Sequence, residues 1–214
     1  MEAVGRSGAT ERTWGGTTLA ERRAGRREAL LVAALDLIGE QGGAGVTVRS
    51  VCRRAELTDR YFYENFAGRD ELLAALFLTV ATEVQHVLTE AIDNAGHDRA
   101  TVARAAVEAM VSMLTDDPRK GRLILVEPLS DPALSEAGLA LVPAFTRLVR
   151  AQLPKGESRA RRAMAALGLA GAVGGLFASW LGGKLHVTRA ELVDYCVELI
   201  IGTFESQDAS GKLL

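Results

Sequence analysis

An all-α fold is predicted for this 214-residue chain, and three observations predict it. Apolar residues recur at helical spacing through most of the chain, from Leu30 to Phe204. The interruptions are helix stops and starts, such as Gly42-Gly43, Asp117-Pro118 and Pro154-Lys155-Gly156. No segment offers a convincing strand. With 48% apolar and 24% charged residues and a net charge of -2, the composition is that of an ordinary globular protein. It speaks against wholesale disorder, a collagen-like repeat and a multi-pass membrane protein. Cys52 and Cys196 lie far apart and form neither a disulfide framework nor a Cys-x-x-Cys metal site, so a reducing, cytoplasmic setting is expected. Residues 1–20 hold no apolar stretch of signal-peptide length.

Taken in order, residues 1–20 are rich in Gly, Thr, Ser and Arg and read as a disordered tail. A helix follows from about Glu21 to Gln41, with Leu30, Leu31, Ala34, Leu35 and Ile38 on one face. Arg22, Arg23, Arg26 and Arg27 cluster at its start, either as a solvated helix start or as a phosphate-binding arm. Thr47 offers an N-cap to a short helix, about Val48 to Ala55, and Thr58 caps a second, about Asp59 to Asn65. Leu72 to Leu88 mark a long helix ending near Gly96, and Val102 to Met113 mark the next. Leu123-Ile124-Leu125-Val126 is ambiguous by period and is read as helix for want of a strand partner. From about Asp131 to Leu153 the spacing is helical, with Pro143 expected to kink or split the segment. Residues 163–183 are uncharged, residues 188–207 carry a clean apolar stripe, and residues 208–214 read as a tail. About nine helices result. Their expected grouping is an N-terminal domain over 21–68 and a helical body over 69–207.

The chemistry concentrates in Thr47 to Leu73, where two short helices joined by a tight turn form a helix-turn-helix. Val48, Val51, Ala55, Leu57, Phe62 and Phe66 supply its apolar set. The second helix otherwise carries Asp59, Arg60, Tyr61, Tyr63, Glu64 and Asn65, hydrogen-bonding groups suited to base edges in a major groove. In order, the segment reads Thr47, Ala55-Glu56-Leu57-Thr58, the triplet Asp59-Arg60-Tyr61, then Tyr63, Phe66 and Arg69. Over about residues 21–75 the chain resembles the DNA-binding domain of the TetR family of bacterial transcriptional regulators. Three features depart from the family pattern: Glu56 replaces the turn glycine, the triplet is larger and more acidic, and Gly68-Arg69 replaces a polar-Lys pair.

The resemblance implies that Arg60 and Tyr61 read bases, assisted by Asp59 and Arg49. It implies that Thr47, Thr58, Tyr63 and Arg69 hold phosphates, and that Asn65 does either. A near-palindromic double-stranded operator, bound by a homodimer, is the implied partner. Gly171, Gly175, Leu192, Cys196, Ile200 and Phe204 would then form the interface of paired C-terminal helices. The implied function is a one-component regulator, a repressor released by a small apolar or amphipathic inducer. Phe77, Val80, Val84, Met110, Met113, Phe145, Phe177 and Trp180 are candidates to line the inducer pocket, with His86 and Glu127 as polar contacts.

Two alternatives stand beside this reading. One is a helix-turn-helix regulator without an inducer. The other is a membrane-anchored helical protein, since residues 163–183 are long enough to span a bilayer; the six glycines in that run favour a buried soluble helix. An enzyme is not expected. His86, His97 and His186 lack metal-ligand spacing, and there is no Walker lysine motif or Gly-x-Ser-x-Gly elbow. Gly168-x-x-Gly171-x-x-Gly174 follows no strand and so is no dinucleotide fingerprint. No cofactor or metal is expected.

Overall fold

The computed structural model describes residues 18–152 and 158–210. Among these residues there are nine α-helices and no strand. α1 spans Leu19–Gln41, α2 Val48–Arg54, α3 Asp59–Tyr63 and α4 Arg69–Asn94. α5 spans Arg99–Asp116, α6 Pro118–Gly121, α7 Pro132–Gln152, α8 Arg159–Leu181 and α9 Arg189–Ser210.

Helix ends follow local chemistry. α1 begins before the apolar pattern does, because Thr18 and Glu21 form a capping box. Only residues 1–17 of the expected N-terminal tail lie outside the described residues, as does the expected Pro154-Lys155-Gly156 loop. At the other end α9 continues through Ser210, past the boundary expected at residue 207, and residues 211–214 lie outside the description. Thr47 caps α2 by accepting from the Ser50 N–H at 3.0 Å. Thr58 occupies the N-cap position of α3 but makes no cap bond through its side chain. Asp117-Pro118 both ends α5 and opens α6, with Asp117 as N-cap and Pro118 at the first position. The run 123–126 is helical, within a π-turn over Arg122–Val126, followed by a 3-10 turn at Glu127–Leu129.

Pro143 does not split α7, which is continuous through it. Its ring removes a bond to the carbonyl four residues earlier, and that residue, Leu139, is 69% exposed, so water can reach the freed group.

One apolar core runs from the DNA-binding domain into the body. It joins Leu30, Ile38, Val51, Phe62, Phe66 and Leu72 to Phe77, Val84, Leu123 and Leu134. α4 belongs to both regions and ties them mechanically. α4 and α7 lie side by side and run in the same direction: Arg69 meets Asp131 at their first turns, and Phe77 faces Gly138 one to two turns on. A second core packs α5 against α8 and α9.

Candidate nucleic-acid interface and ligand cavity

The turn between α2 and α3 is closed by the backbone. The Leu57 N–H donates to the Cys52 carbonyl at 3.0 Å and the Glu56 N–H to the Arg53 carbonyl at 3.4 Å. This pair is a Schellman closure, which places the residue after the cap in the left-handed region. Glu56 takes that position at φ 54°, the only non-glycine among the described residues with positive φ. Cys52 packs below the turn, where burial and the Asp59 carboxylate push its thiol up to about 11 and keep it protonated.

α3 buries Phe62 completely and displays the rest. Asp59 and Arg60 are exposed, and Tyr61 and Tyr63 are 36% and 59% exposed. Arg60 Nε donates to Glu64 Oε1 one turn later at 3.1 Å. Asn65 Nδ2 donates to the Tyr61 carbonyl at 2.8 Å and so closes the end of the helix. Thr47, Arg49 and Thr58 are also exposed.

Two expectations change here. Three residues of the arginine cluster on α1 act from behind the reading helix. Arg23 and Arg27 donate to the carbonyls of Glu64 and Asn65, while Arg26 and Arg27 lie over the Tyr61 and Phe66 rings at 4.5 and 4.3 Å. Cations at a helix C-terminus are favoured by its dipole, and these support α3. Arg69 is engaged internally as well. It donates to the Val46 carbonyl at 2.7 Å, to the Gly43 carbonyl at 2.9 Å, and to Asp131. Through these bonds it joins the α1–α2 turn to the body, whereas a phosphate contact was the role expected of it.

That junction is a polar cluster the sequence did not disclose. Glu127 accepts from the Gly43 N–H at 2.7 Å and from Arg122 Nε at 2.7 Å, and is buried. Gly42 has φ 73°, a conformation that favours glycine, and a Cβ on it would stand 2.8 Å from the Arg122 guanidinium. Burial pushes the Asp131 carboxyl up, but Arg69 and the N–H groups of Leu134 and Ala133 outweigh it and hold it below its ordinary value. Arg119 bridges Asp36 of α1 and Asp117 beside α6. Glu127 is therefore a structural acid, not a ligand contact. The available signal was Asp131-Pro132, an N-cap followed by proline.

Above the junction lies a cavity of about 640 Å3 between α4, α5, α7, α8 and the end of α9. Phe77, Val84, Met110, Phe145 and Phe177 line it. Val80, Met113 and Trp180 do not: Val80 and Met113 are buried in the first core, and Trp180 packs in the second, its Nε1 donating to the Val187 carbonyl at 3.0 Å. His86 is exposed on the outer side of α4, 3.2 Å from Glu90, and makes no part of the wall. Among the described residues no group of His, Cys, Asp and Glu stands close enough to hold a metal ion.

The expected interface residues divide. Leu192 and Cys196 are buried against the chain's own α5 and α8. Phe204 is buried beside Leu169, and Phe204, Ile200 and Gly171 line the cavity. The α9 stripe therefore faces inward. Gly171 and Gly175 are exposed, and a Cβ at either would meet nothing within 4 Å. Met164 and Leu167 of α8 are 67% and 55% exposed, Leu167 at the edge of the cavity, and Tyr195 of α9 is 55% exposed. By length and composition α4 and α8 are apolar enough to cross a membrane; α4 meets that test as the helix shared by the core.

Residues 30–76 match the model of the bacterial regulatory proteins of the tetR family. The chain carries the DNA-binding domain of TetR-family transcriptional regulators. No curated protein matches it. Among solved structures, the fatty acid degradation regulator FadR from Bacillus halodurans is similar over 83% of this chain and 95% of its own, with 15% identity and a TM-score of 0.70. FadR from Bacillus subtilis, solved in complex with stearoyl-CoA, is similar over 82% and 98%, with 16% identity and a TM-score of 0.69. A transcriptional regulator from Rhodococcus sp. RHA1 is similar over 83% and 95%, with 23% identity and a TM-score of 0.66. At these identities the likeness is one of fold. It extends well beyond the 47 residues of the TetR-family match, across the helical body.

Proposed function

We propose that this TetR-family regulator is a cytoplasmic homodimer that represses from a near-palindromic operator and leaves it when a small apolar or amphipathic ligand enters the body. The observation that carries the reading is the double role of α4. Its first turn holds the helix-turn-helix through Arg69, and its next turns wall the cavity through Phe77 and Val84. Arg60 and Tyr61, with Asp59 and Arg49, read bases; Thr47, Thr58 and Tyr63 position the backbone. The exposed face of α8 that carries Gly175 supplies the dimer contact, with Gly171 at the edge it shares with the cavity. A stearoyl-CoA complex of a similarly folded regulator supports a ligand role for the cavity.

A ligand that fits better when α4 is tilted shifts the population towards the form whose reading helices are wrongly spaced. By reciprocity the operator then weakens ligand binding by the same factor. The test is operator selection from random duplexes, with stoichiometry by sedimentation. A dimer on two half-sites about one helical turn, or a small multiple, apart is expected. A monomer that binds all duplexes equally overturns the reading.

A further inference from the structure

The cavity has two features that a compact apolar pocket lacks. The first is its length. α4 lines it from Phe77 to Ile92, about 22 Å along the helix axis. α7, running the same way, lines it from Gly138 to Gln152, about 21 Å. A compact, spherical void of 640 Å3 would be only about 11 Å across. The second is its polarity. The charged or polar side chains in the wall, His97, Arg99 and Gln152, all belong to the α4–α5 turn region or the last residue of α7, the end farthest from the DNA-binding domain. The rest of the wall is aliphatic or aromatic side chains and glycine.

We propose that the cavity takes a linear acyl chain, its polar head at the His97–Gln152 end and its methyl end against Phe77 and Gly138. This rests on the reading of the cavity as a ligand site and adds the chemical class, the direction and the chain length. A zigzag of carbon–carbon bonds of about 1.5 Å fills a 22 Å run with roughly fourteen to eighteen carbons. A fused-ring ligand of the same volume leaves the ends of the run empty. Gly96, His97 and Arg99 are exposed, so the cavity meets solvent at this end; with the head at this mouth a bulky headgroup remains outside, and a free fatty acid and its coenzyme A thioester share the same buried part. Gly138 sets the floor. A Cβ there would lie 3.5 Å from the tip of the Phe77 ring, so a larger side chain shortens the run.

The experiment titrates full-length protein with saturated acyl chains of increasing length, below their micelle concentrations, as free acids and as coenzyme A thioesters. Anilinonaphthalene sulfonate serves as the compact apolar probe. Affinity should rise by about fourfold per added methylene and then stop rising at roughly fourteen to eighteen carbons. Gly138→Leu should move that break to shorter chains by about two to four carbons, with circular dichroism and thermal melting confirming that it folds. Binding of both head types places the head at the mouth; binding of free acids alone overturns the direction. If only the compact probe binds, and Val84→Trp abolishes it, the ligand site stands and the acyl chain falls. If neither class binds and Val84→Trp leaves the protein equally stable, the ligand site falls too.

Discussion

Glu56 holds φ at 54°, a conformation that costs a residue with a Cβ about 1 kcal/mol or more relative to glycine. The Schellman closure of α2 leaves it no alternative. Glu56→Gly should therefore stabilise the protein by about 1 kcal/mol, read by urea unfolding, with operator affinity little changed. A loss of stability would mean that the Glu56 side chain holds the turn by a contact outside it. Arg60 is the other decisive residue. Its side chain is 83% exposed and only loosely paired with Glu64, so it can turn to a base edge. Arg60→Ala should cost about 1–3 kcal/mol at the correct operator and relax preference at one base position. Tyr63→Phe should weaken all sites together, and by less. An unchanged preference in Arg60→Ala, measured against operators mutated one base pair at a time, would remove Arg60 from base readout.

At the scale of elements, α4 and the junction beneath it decide coupling. Val84 is buried and lines the cavity from α4. Val84→Trp should fill the space and block ligand-driven release while leaving operator affinity largely intact. An unchanged response in a folded variant would place the ligand elsewhere. The junction has its own signature in pH. The folded pKa of Asp131 is depressed, so its stabilisation is complete above the unfolded value of about 3.9 and is lost as pH falls through the lower folded value. Asp131→Asn leaves the partly buried Arg69 with only the exposed Asp70 carboxylate, 3.1 Å away, as counter-ion and should cost about 1–3 kcal/mol near neutrality. Unfolding curves should show that gap closing as pH falls below about 4. A gap independent of pH would mean that Asp131 acts through its shape as the α7 cap and not through its charge.

At the scale of the whole molecule, the exposed α8 face is the surface that dimerisation would cover. Gly175 has no neighbour within 4 Å, so a long side chain there does no harm within one chain. Gly175→Arg should keep the helical fold, yield a monomer by sedimentation, and lower operator affinity by more than tenfold, because two half-sites no longer act together. A dimer that persists in this variant would move the interface off the α8 glycines.

The sequence by itself determined the elements and the reading helix. Helical periodicity marks apolar faces, and Thr47, Gly42 and Asp117-Pro118 mark ends, all through interactions within a few residues. The same local chemistry marked Glu56 as standing where a turn glycine is expected, and the structure gives it φ 54°. Partnership was decided only by the tertiary structure. The Leu192–Phe204 stripe is apolar whether it faces a second chain or its own α5 and α8, and nothing local separates the two. Arg69 is basic whether it meets a phosphate or Asp131, which lies 62 residues away. Val80 and Phe77 share a helix and a chemistry, yet only Phe77 reaches the cavity, while Val80 is buried in the first core. Periodicity reports the free energy of leaving water, which depends on a residue's own surface. Which group fills the space beyond it depends on chain folded back from far away.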